Sequence, residues 1–143
     1  MSSPRPVSAF NALPPLVSAI AIVMVTLEVM FQLGARGLVG GPQAVGWRIA
    51  TIQEYGFSNR ALDWMIETGS LRLDYIYRLV TYPFVHLSFM HALFATAMIL
   101  ALGKFVGERM PQWALLVLFF GSAASGALIF GLILPDGPGL VGA

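Results

Sequence analysis

Residues 83–102 read PFVHLSFMHALFATAMILAL, and two histidines are the only ionisable side chains in this run. A transmembrane α-helix needs about 20 mainly apolar residues, because each residue adds about 1.5 Å toward a hydrocarbon core about 30 Å thick. The run meets that requirement. We therefore predict a transmembrane helix over 83–103.

Two further apolar runs lie outward from this one. Residues 13–33 read LPPLVSAIAIVMVTLEVMFQL and carry one charged side chain, Glu28, while residues 113–134 read WALLVLFFGSAASGALIFGLIL and carry none. A cleaved signal peptide is the alternative for the first run, but the apolar core of a leader is only about 7–15 residues long. The predicted segments are an N-terminal tail (1–12), a first transmembrane helix (13–33), an interfacial loop (34–82), the helix at 83–103, a third transmembrane helix (111–134) and a C-terminal loop (135–143).

The composition agrees with this division. Of the 143 residues, 57% are hydrophobic and 10% are charged, and the mean hydropathy is +0.79, whereas soluble domains carry about 25% charged residues. The formal charge of +1 excludes the basic field that nucleic-acid binding requires. The absence of cysteine excludes disulfides, thiolate metal sites and cysteine nucleophiles. We predict an all-α integral membrane protein whose surroundings are the lipid bilayer.

The interfacial loop has a pattern of its own. Residues 47–52 and 61–67 alternate apolar and charged side chains at helical spacing, and Ser58 or Asn59 is placed to cap the second stretch. Short helices lying in the membrane surface fit this pattern, and a small soluble cap packed over the transmembrane helices is the alternative. Glu28 can pair with an arginine of this loop or face a partner helix. Both remain open.

His86 and His91 are candidates for function, because an ionisable group near a membrane span is costly. On a continuous helix, residues five apart point in directions that differ by about 140°, so the pair does not ligate one metal easily. No carboxylate or thiolate lies nearby in sequence to complete a metal site. We expect no metal and no cofactor. The alternative to a functional role is that each histidine satisfies polar groups of the loop.

An ordered set of motifs runs through the second and third spans: Tyr77-Arg78, Thr81, His86, His91, Leu102-Gly103, Glu108-Arg109, the small-residue run from Gly121 to Gly126, and Gly137 to Ala143. In its order and spacing, this set resembles the signature of the rhomboid intramembrane serine proteases. The resemblance covers roughly residues 70–143. It implies a partial rhomboid-like helical bundle.

The resemblance also implies roles for particular residues. It places His91 and Gly142 in the region that binds the oxyanion. It implies that four residues support the long loop and the helix turns: Tyr77, Arg78, His86 and Glu108. It also implies that further helices pack against the third span at its small residues: Gly121, Ser122, Ser125 and Gly126.

Two departures from the family pattern bear on activity. The asparagine that helps to bind the oxyanion falls on Ala95, which cannot donate a hydrogen bond. The nucleophilic serine would follow Gly142-Ala143, and the base histidine would follow two spans later, so the chain as given carries no catalytic residue and is expected to be inactive.

These departures leave three interpretations. In the first, the chain is part of an intramembrane serine protease that cleaves transmembrane substrates. In the second, it is a non-catalytic accessory subunit that binds transmembrane helices or stabilises a larger membrane complex. In the third, it is an unrelated small respiratory or photosynthetic subunit whose histidines occur by chance.

The orientation signals conflict. A count of arginines places the 34–82 loop in the cytoplasm by the positive-inside rule. The resemblance implies a cytoplasmic N-terminus and an external loop, in a bacterial inner membrane. We follow the resemblance, because it depends on ordered motifs and the count depends on scattered charges.

Overall fold

The computed structural model describes residues 13–142. Over that range the chain is helical and forms no strand. Its helices are α1 (Pro15–Ala35), α2 (Trp47–Tyr55), α3 (Asn59–Thr68), α4 (Leu73–Ile76), α5 (Arg78–Thr81), α6 (Phe89–Gly107) and α7 (Gln112–Ile133). Two 3₁₀ turns occupy Pro42–Gly46 and Tyr82–Phe84. The predicted tail over 1–12 lies outside the described residues.

Helices α1, α6 and α7 contain 21, 19 and 22 residues and are long and apolar enough to cross a membrane. The prediction of an all-α membrane protein with three spanning helices is confirmed. The first and third helices lie close to their predicted positions. The second begins at Phe89 and not at Pro83, because the chain forms a 3₁₀ turn and then an extended segment before Ser88 caps the helix.

Helices α1 and α6 pack closely along their length. Ile20 and Met24 of α1 form a buried cluster with Ala95 of α6. Further along the same contact, a methyl group on Gly103 would lie 2.8 Å from both γ-carbons of Val17. Small residues on α6 therefore allow α1 to approach, which is how transmembrane helices associate when lipid supplies no hydrophobic drive.

Helix α7 packs mainly against the interfacial loop. Ala127 is fully buried in a cluster with Phe57, Leu62 and Tyr82. The Tyr82 hydroxyl donates to the Ala123 carbonyl at 3.0 Å. The loop thus covers one side of α7 and holds that helix in place.

Local signals explain the loop helices. Ser58 caps α3, its hydroxyl accepting a hydrogen bond from the Ala61 amide at 3.4 Å, as the sequence predicted. Gly69 ends α3 with φ of 64°, a left-handed conformation that glycine adopts without strain.

An apolar cavity of about 460 Å³ lies between α1, α6 and α7. The wall is formed by side chains such as Ile20, Ile99 and Phe119. Gly142, near the end of the chain, also lines it. The cavity therefore reaches from the spanning helices to Gly142, which lies beside the histidines described next.

Candidate functional site at the histidine pair

His86 and His91 face each other. Their ring centroids are 5.0 Å apart and the ring planes meet at 85°. The prediction that the two side chains diverge by about 140° is wrong, because His86 precedes the helix. His91 lies in the first turn of α6, where its amide donates to the Ser88 hydroxyl at 3.3 Å.

His86 is buried, with 2% of its surface exposed. Burial lowers the pKa of His86, and the nearby His91 acts in the same direction, while a hydrogen bond with the Phe84 backbone opposes them. Among the described residues, Nε2 of His86 has no hydrogen-bond partner. Burial thus favours the neutral form of the His86 imidazole.

The C-terminal loop folds back onto this pair. Phe57 and Leu140 form an isolated antiparallel bridge, each amide donating to the other carbonyl at 3.0 Å. The Gly142 amide then donates to the Tyr82 carbonyl at 2.9 Å. These bonds join the end of the described chain to the connection between α2 and α3 and to the segment before α6.

Gly142 lies close against both rings, where a residue with a side chain would collide with them. Its φ is 81°. A methyl group at this position would lie 2.6 Å from Cε1 and Nε2 of His91 and 3.0 Å from Cδ2 of His86. The structure therefore brings Gly142 into contact with a histidine pair that lies far from it in sequence.

Three side chains that precede the histidines in sequence anchor the interfacial loop by hydrogen bonds to its backbone. The Tyr77 hydroxyl donates to the Glu54 carbonyl at 3.2 Å, and the Thr81 hydroxyl to the Tyr55 carbonyl at 3.0 Å. Arg78 donates to the Gly56 carbonyl at 3.4 Å. All three side chains thus bind backbone at the end of α2.

Sequence reasoning missed Arg48 as a site residue. Its guanidinium binds both carboxylate oxygens of Glu28, at 2.7 and 2.9 Å, and also donates to the His86 carbonyl at 2.8 Å. Of the two alternatives left open for Glu28, the structure has the pairing with a loop arginine. Glu28 and Arg48 are separated by 20 positions, and no local signal connects them.

Ala95 lies one turn beyond His91 on the cavity wall to which Gly142 also contributes. It is 6% exposed and packs against Ile20 and Met24 of α1. The position at which the family pattern has a donor is therefore apolar here.

Other predicted residues lie away from the histidines. Glu108 is exposed just after the last turn of α6, at the opposite end from His91, and its carboxylate bonds to no residue within 13–142. Arg109, the next residue, donates to the Phe105 carbonyl at 2.7 Å. The four residues predicted for helix packing are exposed on α7: Gly121, Ser122, Ser125 and Gly126.

The serines near the spans have structural partners. Ser88 caps α6. Ser122 donates to the Phe119 carbonyl at 3.1 Å and Ser125 to the Gly121 carbonyl at 2.7 Å, both within α7. Over 13–142, no group of three histidine or acidic side chains is arranged to hold a metal ion. The described site thus places two imidazole side chains, which can donate or accept hydrogen bonds, beside the Gly142 backbone.

A family model described as Rhomboid domain matches residues 73–143, from α4 through the C-terminal loop. No curated protein and no solved structure matches the chain. The matched region is the one in which the ordered motifs occur. This chain therefore belongs to the rhomboid family, and it is a rhomboid-like membrane protein.

Proposed function

We propose that this chain forms the oxyanion side and the loop framework of an intramembrane serine protease that cleaves transmembrane substrates. The observation that carries the proposal is the position of Gly142 beside both His86 and His91. In the family resemblance, the nucleophilic serine follows the Gly-x pair that Gly142-Ala143 matches. The arrangement would thus place a serine directly beside the two imidazoles.

The chemistry follows that of serine hydrolysis in general. The serine oxygen attacks the peptide carbonyl carbon, a base histidine takes the serine proton, and the carbonyl oxygen becomes an oxyanion that hydrogen-bond donors stabilise. We assign His91 to that donor set. His86 holds His91 in place through ring contact. The nucleophile and the base are contributed by residues outside 13–142, and we propose that the 143 residues alone do not hydrolyse peptides.

Ala95 limits the rate in this proposal. Loss of one oxyanion donor costs about 2.7–4 kcal/mol, or a factor of about 10² to 10³ in kcat. A site with Ala95 therefore works slowly, and Ala95→Asn is expected to raise kcat where the catalytic serine is present.

We extend the proposal to location. We propose that the protein lies in a bacterial inner membrane with its N-terminus in the cytoplasm. The histidines would then lie near the outer surface, where water reaches the scissile bond. Partners would be transmembrane proteins.

The proposal is tested on the protein purified from its native membrane. Its intact mass is compared with 15.4 kDa, and a fluorophosphonate probe, which labels activated serines, is added to the same preparation. A larger mass with labelling that His91→Ala reduces supports the protease. A mass of 15.4 kDa without labelling would overturn it.

A second candidate is favoured by Ala95, because an apolar residue at the donor position is what relaxed catalytic demand produces. In this case the chain is a non-catalytic rhomboid-like subunit that binds transmembrane helices, with the exposed small residues of α7 as the contact. Mild solubilisation discriminates the two. Co-purification of one partner in fixed stoichiometry, lost in Gly121→Leu and without probe labelling, supports the subunit.

A further inference from the structure

An ion pair stands between α1 and the interfacial loop. The side chains of Glu28 and Arg48 are 8% and 19% exposed. Glu28 also accepts a hydrogen bond from Gln32 at 2.8 Å, and the Arg48 guanidinium lies over the Phe31 ring, 5.0 Å from its centroid. One face of α1 thus holds the guanidinium by charge, hydrogen bonds and an aromatic ring, so that it has little freedom to rotate.

The held guanidinium reaches a third element. Nη1 of Arg48 donates to Glu28 Oε2 at 2.9 Å and to the His86 carbonyl at 2.8 Å. That carbonyl belongs to the segment between the 3₁₀ turn and α6, which lies outside the helices. Arg48 therefore fixes the His86 peptide plane from outside the segment.

We propose that Arg48, oriented by Glu28, is the positioning residue that sets the His86 ring against His91 and Gly142. This inference deepens the proposed function, on which it depends for its purpose. The His86 ring is attached to a peptide plane that Arg48 holds, and the ring in turn contacts His91. A rotation of that plane moves both imidazoles relative to the C-terminal loop.

The fork of the arginine side chain is required for this role. A planar guanidinium bonds two acceptors in fixed directions, whereas a lysine ammonium is a single point charge on a flexible stem. Arg48→Lys keeps the charge and a partner for Glu28, but cannot span Glu28 and the His86 carbonyl in the same geometry. We therefore expect that Arg48→Lys does not preserve the positions of the two histidine rings.

The test reads the two histidines directly. The whole chain, labelled with ¹³C and ¹⁵N at histidine, is placed in lipid nanodiscs, and the ring signals of His86 and His91 are assigned by single His→Gln variants. Arg48→Lys, Arg48→Gln and Glu28→Gln are compared with wild type. The matched control is Arg72→Gln, which breaks the exposed ion pair with Asp74, in which both side chains are about half exposed.

The expected result is that all three variants shift the ring signals of both histidines, with Arg48→Gln largest and Glu28→Gln smallest, while Arg72→Gln leaves them in place. Where an Arg48 variant does not fold, Glu28→Gln decides, because it keeps the bond from Arg48 to the His86 carbonyl and loses only the partner that orients it. Folded variants with wild-type ring signals would overturn the inference. These spectra do not depend on catalysis, so absence of probe labelling refutes the proposed function alone.

Discussion

Substitution of Gly142 by alanine tests the contact on which the site depends. Two separate costs arise. An L-residue in the left-handed region costs about 1–2 kcal/mol, and φ at Gly142 is 81°. The added methyl group would lie 2.6 Å from the His91 ring, and overpacking of this kind costs about 1–3 kcal/mol. Together they weaken docking of the C-terminal loop by about 2–5 kcal/mol.

Amide hydrogen exchange measures this docking without any assay of activity. The amides at positions 140 and 142 donate to the Phe57 and Tyr82 carbonyls, so they exchange only when the loop opens. Each 1.4 kcal/mol is a factor of ten. Gly142→Ala is therefore expected to speed exchange at both amides by about 30-fold or more.

Gly69→Ala is the matched control for backbone strain. Gly69 has φ of 64°, and no atom lies within 4 Å of the place that an added methyl group would occupy. It is expected to show only the cost of about 1–2 kcal/mol for the left-handed conformation. If exchange at position 142 is unchanged in Gly142→Ala, or rises no more than exchange at position 69 in Gly69→Ala, the close contact with the histidines is refuted.

Three further changes test the fold and the histidine environment. Asn59→Ala removes a donor to the carbonyl at the end of α7 and is expected to lower the free energy of unfolding by about 1 kcal/mol in a denaturant titration; no change would contradict that bond. Gly103→Ala places a methyl group 2.8 Å from Val17 and should lower the Tm, whereas Gly121→Ala, with open space around it, should not; equal Tm values would count against the α1–α6 contact. Because burial lowers the pKa of His86 below 6.5, the unfolded chain binds the proton more tightly, so stability falls as pH falls through that value. The Tm of the wild-type protein should therefore drop between about pH 7.5 and 5.5, and His86→Gln should reduce that drop. An equal drop in the wild type and the variant would contradict a lowered pKa of His86.

Much of the fold could be predicted because its signals are local. Length and apolar content specify the three spans, and Ser58 marks the start of α3. The second span was placed too early because residues 83–87 are as apolar as the helix that follows. Ser88 was the available signal, since a serine before an apolar run is an N-cap.

The candidate site could be predicted only in part. The ordered motifs singled out His86, His91 and Gly142, and the structure brings these three together. Helical spacing could not predict how the two rings meet, because His86 precedes α6 and only His91 lies on it. Arg48 was missed because its partners, Glu28 and the His86 carbonyl, come from distant parts of the chain, and one of them is backbone.

The bridge between Phe57 and Leu140 has a consequence for synthesis. The segment it closes contains α3 to α7, more than half of the chain, and contacts between such distant residues form late because the chain between them must be ordered first. Both histidines leave the ribosome well before residues 140–142. Residues 140–142 therefore cannot cover the histidine pair in the nascent protein until α7 and the loop after it have been synthesised.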